Sequence, residues 1–399
     1  MTTSPVTRAG RRRVLALAAS ASVLSLTLSA CAMLAPYTPA AKSAPLGDVG
    51  ASTSSSSSSA GTSAAATTSA TVPVVKVSAA AQAETAQLGV QVYWHTTGNA
   101  SDVRTAADKV LDYVVGLGAN SVSLTFPFFT DGVHPTRVYG LASSTPDPTT
   151  LAIVIGEAQA RGLRVMLRPV LDEANITDSK GDWRGTIQPT SVVSWFTSYR
   201  AFLQPYLELA QQQHVAYFVV GTELESLARQ KTQWAALEAA AATIYSGEFD
   251  YSQSWESWDL GVASTQAGNV GVDAYPVLYE GDGASVSQLT SAWERWLRNR
   301  SSTVLRRTVI QEVGIAAVSG AYAAPARWSK AGDKIDVPIQ AKWFTAACQS
   351  AKTLHLRGIY FWNVDSNADP AAASSASSAS FIGRGDQSIK ACFAANWGG

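Results

Sequence analysis

Ionic side chains are scarce in this 399-residue chain: 15% are Asp, Glu, Lys or Arg, with 30 basic against 30 acidic. Such a balance offers no basic stripe to a phosphate backbone or an anionic lipid surface, which argues against nucleic acid as a partner and against electrostatic membrane binding. Histidine is rarer still, with four copies and no pair at i, i+4 around a glutamate, and the three cysteines form no pair at ligand spacing. Neither a metal nor a cofactor is therefore expected. The one strongly apolar run near the start, Val14 to Leu28, is too short and wrongly flanked for a stable membrane span.

That run has another reading. Arg11-Arg12-Arg13 precedes it and Leu28-Ser29-Ala30-Cys31 ends it, so a basic region, an apolar region and small residues at a cleavage point make residues 1–30 an export signal. The ending resembles the bacterial lipobox, which implies that Cys31 becomes a lipidated N-terminus on the outer side of the cell membrane. The arginine pair is compatible with a twin-arginine route as well as the general secretory one. Residues 31–85 are Ala, Ser, Thr and Pro with almost no charge, including Ser54 to Ser59 unbroken. A segment of that kind cannot bury enough apolar surface to offset its ordering entropy, so a disordered tether spanning about 40 Å is expected.

Residues 86–399 carry the domain, and no second low-complexity break divides them. Their organising stretch runs from His214 to Ser226: an apolar, β-branched run with no polar alternation reads as a strand covered on both faces, and it turns at Gly221 just before Glu223. The helical pattern from Trp234 to Tyr245 comes next, giving the strand–loop–helix order of a parallel α/β fold. A second run, Thr308 to Gly314, carries Glu312. The two glutamates lie 89 residues apart. This is about three βα units of roughly 30 residues each, so Glu223 on strand four puts Glu312 on strand seven of an eight-stranded (β/α)8 barrel.

Other strands are expected at Leu88–Tyr93, Ser121–Phe126, Leu163–Leu167, Phe249–Gln253, Val270–Ala274 and Gly358–Phe361, with a helix opening at Ser101-Asp102. Nearly every strand end delivers an aromatic or ionisable residue: Trp94, Phe128, Arg168, Trp255, Asp273 with Tyr275, and Trp362, while a polar loop holds Trp183. Two carboxylates converging on such a rim suit glycoside hydrolysis, one protonating the leaving oxygen and the other attacking the anomeric carbon. The alternative for each glutamate is a loop cap or an arginine partner. Glu225 reads as a loop or helix-start carboxylate, with a second reading as the acid. Arg168 reads as a sugar contact or as the holder of a carboxylate, and each aromatic as a sugar platform or as packing. Cys348 and Cys392 fall in helical segments and are read either as a disulfide or as separate buried thiols.

Gly221-Thr222-Glu223-Leu224, Asp273-Ala274-Tyr275-Pro276, Gln311-Glu312-Val313-Gly314 and Phe361-Trp362-Asn363, preceded by Trp183-Arg184-Gly185, together resemble glycoside hydrolase family 113. The likeness spans the domain from about residue 88 onward. It implies a β-mannanase-like TIM barrel of the retaining clan, acting on a β-linked glycan, with Glu223 as acid/base and Glu312 as nucleophile. It further implies that Tyr275 donates to Glu312 and that Trp362 lies beneath the sugar at the cleavage point. Arg168-Pro169-Val170 departs from the family's usual Lys-Pro-His, and Ile315 stands where an aromatic is common. A monomer is expected. Two other readings remain open, a solute-binding lipoprotein of an uptake system and a barrel that only binds or senses glycan.

Overall fold

The computed structural model describes residues 85–176, 181–260, 269–327, 329, 332–375 and 380–397. The export signal, Cys31 and nearly all of the tether lie outside the described residues.

Nine strands are described: β1 (Gln87–Tyr93), β2 (Ser121–Thr130), β3 (Val138–Tyr139), β4 (Arg164–Leu171), β5 (Tyr217–Thr222), β6 (Glu248–Ser254), β7 (Val270–Ala274), β8 (Thr308–Val313) and β9 (Gly358–Asp365). Eight of them run parallel in the order β1-β9-β8-β7-β6-β5-β4-β2, and pairing of β1 with β2 closes the ring. Helices alternate with the strands, so the fold is a (β/α)8 TIM barrel, with β5 and β8 as its fourth and seventh strands. The short β3 pairs antiparallel with β2 as a hairpin outside the ring.

Local chemistry sets the helix starts. Asn99, rather than Ser101, caps helix Ala100–Gly116 by accepting from the backbone N–H groups of Ser101 and Asp102. Asp147 with Pro148 opens Pro148–Ala160, and Ser285 with Gln288 forms a reciprocal capping box on Val286–Leu297. Three strands, β2, β4 and β9, run four residues past their expected ends. Phe126 to Phe129, too aromatic for an ordinary loop, continue β2 into its hairpin, and β4 carries Arg168 to Leu171 as strand.

Between strands and helices lies one contiguous apolar core that includes Trp195, Trp234, Trp293 and Trp343. Inside the ring, Met166, Tyr217, Val219, Val309 and Tyr360 form a separate apolar layer. Above it the interior turns polar: Thr125 donates to Gln91, Gln91 donates to the Gln311 carbonyl, and Gln311 donates to Asp250 across the ring. Cys348 and Cys392 are joined as a disulfide with Cα atoms 5.8 Å apart, tying helix Val337–Thr353 to helix Asp386–Ala394.

Candidate active site

Parallel strands bring all their C-terminal ends to one mouth, and there the ionisable groups collect. Glu223 directly succeeds β5 with φ of 50°, a left-handed conformation uncommon for a side chain with a Cβ. Its N–H is held by the Ser252 carbonyl at 2.8 Å, and the turn before it is crowded. A Cβ on Gly221 would stand 2.8 Å from both Trp234 and Tyr251, so only glycine fits there. Glu312 reaches the mouth differently. Successive strand residues face opposite sides, yet Gln311 and Glu312 both form buried bonds across the ring. Register shifts between Val272 and Asp273 and between Ile310 and Val313 break the alternation and set Glu312 opposite Asp273.

One guanidinium organises this half of the mouth. Arg168, fully buried, donates through Nη1 to Glu312 Oε1 at 2.5 Å and through Nη2 to Asp273 Oδ2 at 2.8 Å. Tyr275 donates its hydroxyl to Glu312 Oε2 at 2.7 Å, so both oxygens of Glu312 accept from a donor. Ser252 donates to the other oxygen of Asp273 at 2.7 Å. Burial alone would lower the Arg168 pKa, but Asp273 and Glu312 more than offset it and raise it. Asp273 is pushed up to about 8 by burial and by Glu312, against the pull of Arg168.

A second guanidinium serves the other glutamate. Arg184, from the Trp183-Arg184-Gly185 loop, donates through Nη1 to Glu223 Oε2 at 2.8 Å and through Nε to the Leu171 carbonyl at 2.9 Å. Its backbone N–H donates to Glu173 Oε1 at 3.1 Å, and its Nε lies 3.3 Å from the same oxygen. Burial raises Glu223 well above the ordinary carboxyl range; Asp273, Glu312 and Glu256 add to the rise and Arg184 opposes it. Glu173 is raised too, chiefly by burial. Four buried carboxyl groups thus share two guanidiniums, and Asp273, Glu223 and Glu173 are displaced toward their protonated forms.

Of the residues singled out in the sequence, Glu223, Glu312, Arg168 and Tyr275 meet in this network. Arg168 has no exposed surface, so it holds carboxylates and makes no sugar contact in this state. Trp94 and Phe128 are corrected as well. Trp94 is 0% exposed and turns its indole N–H to the Thr96 carbonyl, while Phe128 is 1% exposed and packs on Tyr199 and Phe202. Neither has a face for a sugar. Trp362 is half-buried within β9, with the Arg168 guanidinium 5.8 Å from its ring centre and Tyr93 packed edge-on against it. Trp255 and Trp183 are also half-buried, the latter lying over Gly185, whose missing Cβ makes room for the ring. Glu225 is a cap: it accepts from the Ser254 N–H at 2.7 Å and from the Ser257 hydroxyl, steadying the start of helix Trp255–Leu260.

Sequence reasoning missed Arg184, Glu173 and the role of Asp273. Asp273, at an expected strand end, carried a signal of position, and Arg184 stood in the Trp183-Arg184-Gly185 motif, but neither was given a role. Glu173 and Arg184 sit in loop sequence, where no periodicity says which way a side chain turns.

A parallel barrel with buried carboxyl groups gathered at its C-terminal mouth is an enzyme architecture. The sequence model of Glycoside Hydrolase Family 113 matches residues 92–383. The chain therefore belongs to family 113 and is a glycoside hydrolase. A solved GH113 β-1,4-mannanase shares the fold at TM-score 0.66 and 19% identity, over 78% of this chain and 100% of that one. The GH113 β-mannanase AaManA from Alicyclobacillus acidocaldarius, in complex with ManMIm, gives 0.65 at 19% identity over 77% and 97%. An endo-β-1,4-mannanase from Thermotoga petrophila gives 0.50 at 13% identity over 78% and 76%. No curated protein matches the sequence.

Proposed function

We propose that this chain is a retaining hydrolase of β-1,4-mannan or a closely related β-linked glycan, using Glu312 as nucleophile and Glu223 as acid/base. The observation that carries this reading is the unequal setting of the two glutamates. Both oxygens of Glu312 accept from donors, Arg168 and Tyr275, the hydrogen bonding of a carboxylate. Glu223 is pushed up by burial and by neighbouring carboxyl groups, the setting of an acid that keeps its proton near neutral pH. In the first step the Glu312 carboxylate bonds to the anomeric carbon as the glycosidic C–O bond breaks, and Glu223 gives its proton to the departing oxygen. In the second, Glu223 takes a proton from water, whose oxygen attacks the same carbon and frees Glu312. Trp362, Trp183 and Trp255 are the candidate platforms for the sugar chain. Mannan as substrate rests on the activity for which the solved relatives are named.

The test is substrate- and product-based. Purified enzyme on β-1,4-mannan should release reducing ends whose configuration, read by NMR before mutarotation, is the β form. An α product would mean inversion and remove Glu312 as nucleophile. Glu312→Ala should lose turnover by on the order of 10⁴-fold or more, with azide restoring only an inverted glycosyl azide. Glu223→Ala should keep its first step on activated aryl glycosides, and azide should then give a product of retained configuration. Binding of glycan without release from any β-linked polymer would favour the sensor reading.

We further propose that the domain is lipid-anchored outside the cell membrane through Cys31, on the strength of the Leu28-Ser29-Ala30-Cys31 ending. Cys31→Ser should move it from the membrane to the soluble fraction with activity on soluble substrate unchanged; membrane retention would sink the anchor.

A further inference from the structure

A double displacement asks two opposite things of Glu223: a proton in the first step and none in the second. Its arginine neighbour favours only the second. Arg184 Nη1 lies 2.8 Å from Glu223 Oε2, and an undivided guanidinium that close favours the charged carboxylate. The guanidinium is not undivided. Its Nε is turned to the Leu171 carbonyl and lies 3.3 Å from Glu173 Oε1, and the Arg184 backbone N–H donates to that same oxygen. Glu173 itself is 7% exposed, in the loop directly after β4, so its charge is poorly screened.

We propose that Glu173 is a positioning residue for the acid/base: by sharing the Arg184 guanidinium it keeps Glu223 in the state that can donate a proton to the leaving oxygen. The proposal rests on the reading of Glu223 as acid/base and adds Glu173 and Arg184 to it. Glu173 never touches substrate in this scheme. It acts by engaging Arg184 from the far side and by adding one more negative charge beyond it. The other charged or titratable groups facing Glu223 are Asp273 of β7, Glu312 of β8, Glu256 at the start of helix Trp255–Leu260, Arg168 of β4 and Tyr275 after β7. Glu173 meets Arg184 at both its backbone N–H and its Nε, so the sharing can be tested at Glu173.

The readout is the pH profile of kcat/KM on a β-1,4-manno-oligosaccharide, whose alkaline limb reports loss of the acid's proton in free enzyme. Glu173→Gln keeps the shape of the side chain and removes its charge. Arg184, no longer shared with a charged Glu173, then acts more strongly on Glu223, and the alkaline limb should move down by about one pH unit, a loss of about tenfold on the alkaline side. Arg184→Met should move the limb up. In the Arg184→Met background, Glu173→Gln should shift the limb by much less, because there is no guanidinium left to share. On a dinitrophenyl β-glycoside, whose departure needs no proton, the first step should be insensitive to Glu173→Gln.

An unmoved limb in Glu173→Gln, or a shift of equal size with and without Arg184, overturns the sharing. Should Arg184→Met fail to fold, Glu173→Gln decides by its direction alone. Glu223→Ala separates the two levels. If it keeps the wild-type alkaline limb, the acid/base reading itself is lost. If it loses that limb while Glu173→Gln moves nothing, only the sharing is lost.

Discussion

The barrel has buried and half-buried arginines at both ends, and the two ends balance them differently. At the floor, Arg164 donates to the Thr85 and Ala86 carbonyls, to the Tyr217 hydroxyl and to Asn120, while Arg357 donates to Glu248 at 2.9 Å and to Asn269. Burial works to raise Glu248, but Arg357 and Asn269 more than offset it, and its pKa is lowered. Cations there face carbonyls, amides and Glu248 settled in its charged form, although buried Asp250 nearby is pushed up to about 7 by burial and Glu248 against the pull of Asn269, Arg357 and Gln311. At the mouth, Arg168 and Arg184 face Glu312, Asp273, Glu223 and Glu173, and Asp273, Glu223 and Glu173 are all displaced upward. The same residue types thus serve as structural ties where charge is matched and as a proton store where carboxyl groups are in excess.

Breaking one arginine at each end should expose that contrast most strongly. Arg168→Met at the mouth strands Glu312 and Asp273 in a buried site; a loss of about 3–5 kcal/mol in urea unfolding and near-complete loss of kcat are expected. Unchanged kcat would remove Arg168 from the organisation of the site. Tyr275→Phe removes one donor from Glu312 without a change of shape. It should lower kcat by roughly 10- to 100-fold, the equivalent of about 1.5–3 kcal/mol for a hydrogen bond to a charged group, while leaving Tm within a few degrees.

The proton store predicts a sign for the pH dependence of stability. Glu223 and Asp273 bind protons more tightly folded than unfolded, so between about pH 4 and 8 the native state carries more protons and stability falls as pH rises. Tm should therefore decline across that window, and Glu223→Gln, which cannot ionise, should flatten the decline. A slope identical to wild type would place the extra protons elsewhere. Smallest of all should be Arg357→Met at the floor. That pair is partly exposed, so about 1 kcal/mol of stability and no change in kcat are expected, measured by denaturation and initial rates.

Tyr275 beside Glu312 was implied only by the family resemblance; the apolar runs and strand-end residues of the sequence were enough for the barrel and for Glu223 and Glu312 on strands four and seven. Each of these is written locally: a buried parallel strand is a continuous apolar run, and the residues just past its C-terminal end must lie at the mouth. The disulfide was one of two open readings, because spacing along helices does not say which faces meet. What only the tertiary structure decided is direction and partnership. Trp94 follows its strand as expected and Phe128 lies within the lengthened β2, yet both turn into the core, and Glu312 turns inward beside Gln311 only because bulges in the β7–β8–β9 pairing break the alternation. Arg168 finds Glu312 across 144 residues of chain and Arg184 finds Glu223 across 39. No local pattern records such pairings, since a guanidinium takes whichever carboxylate the closed ring brings within about 3 Å.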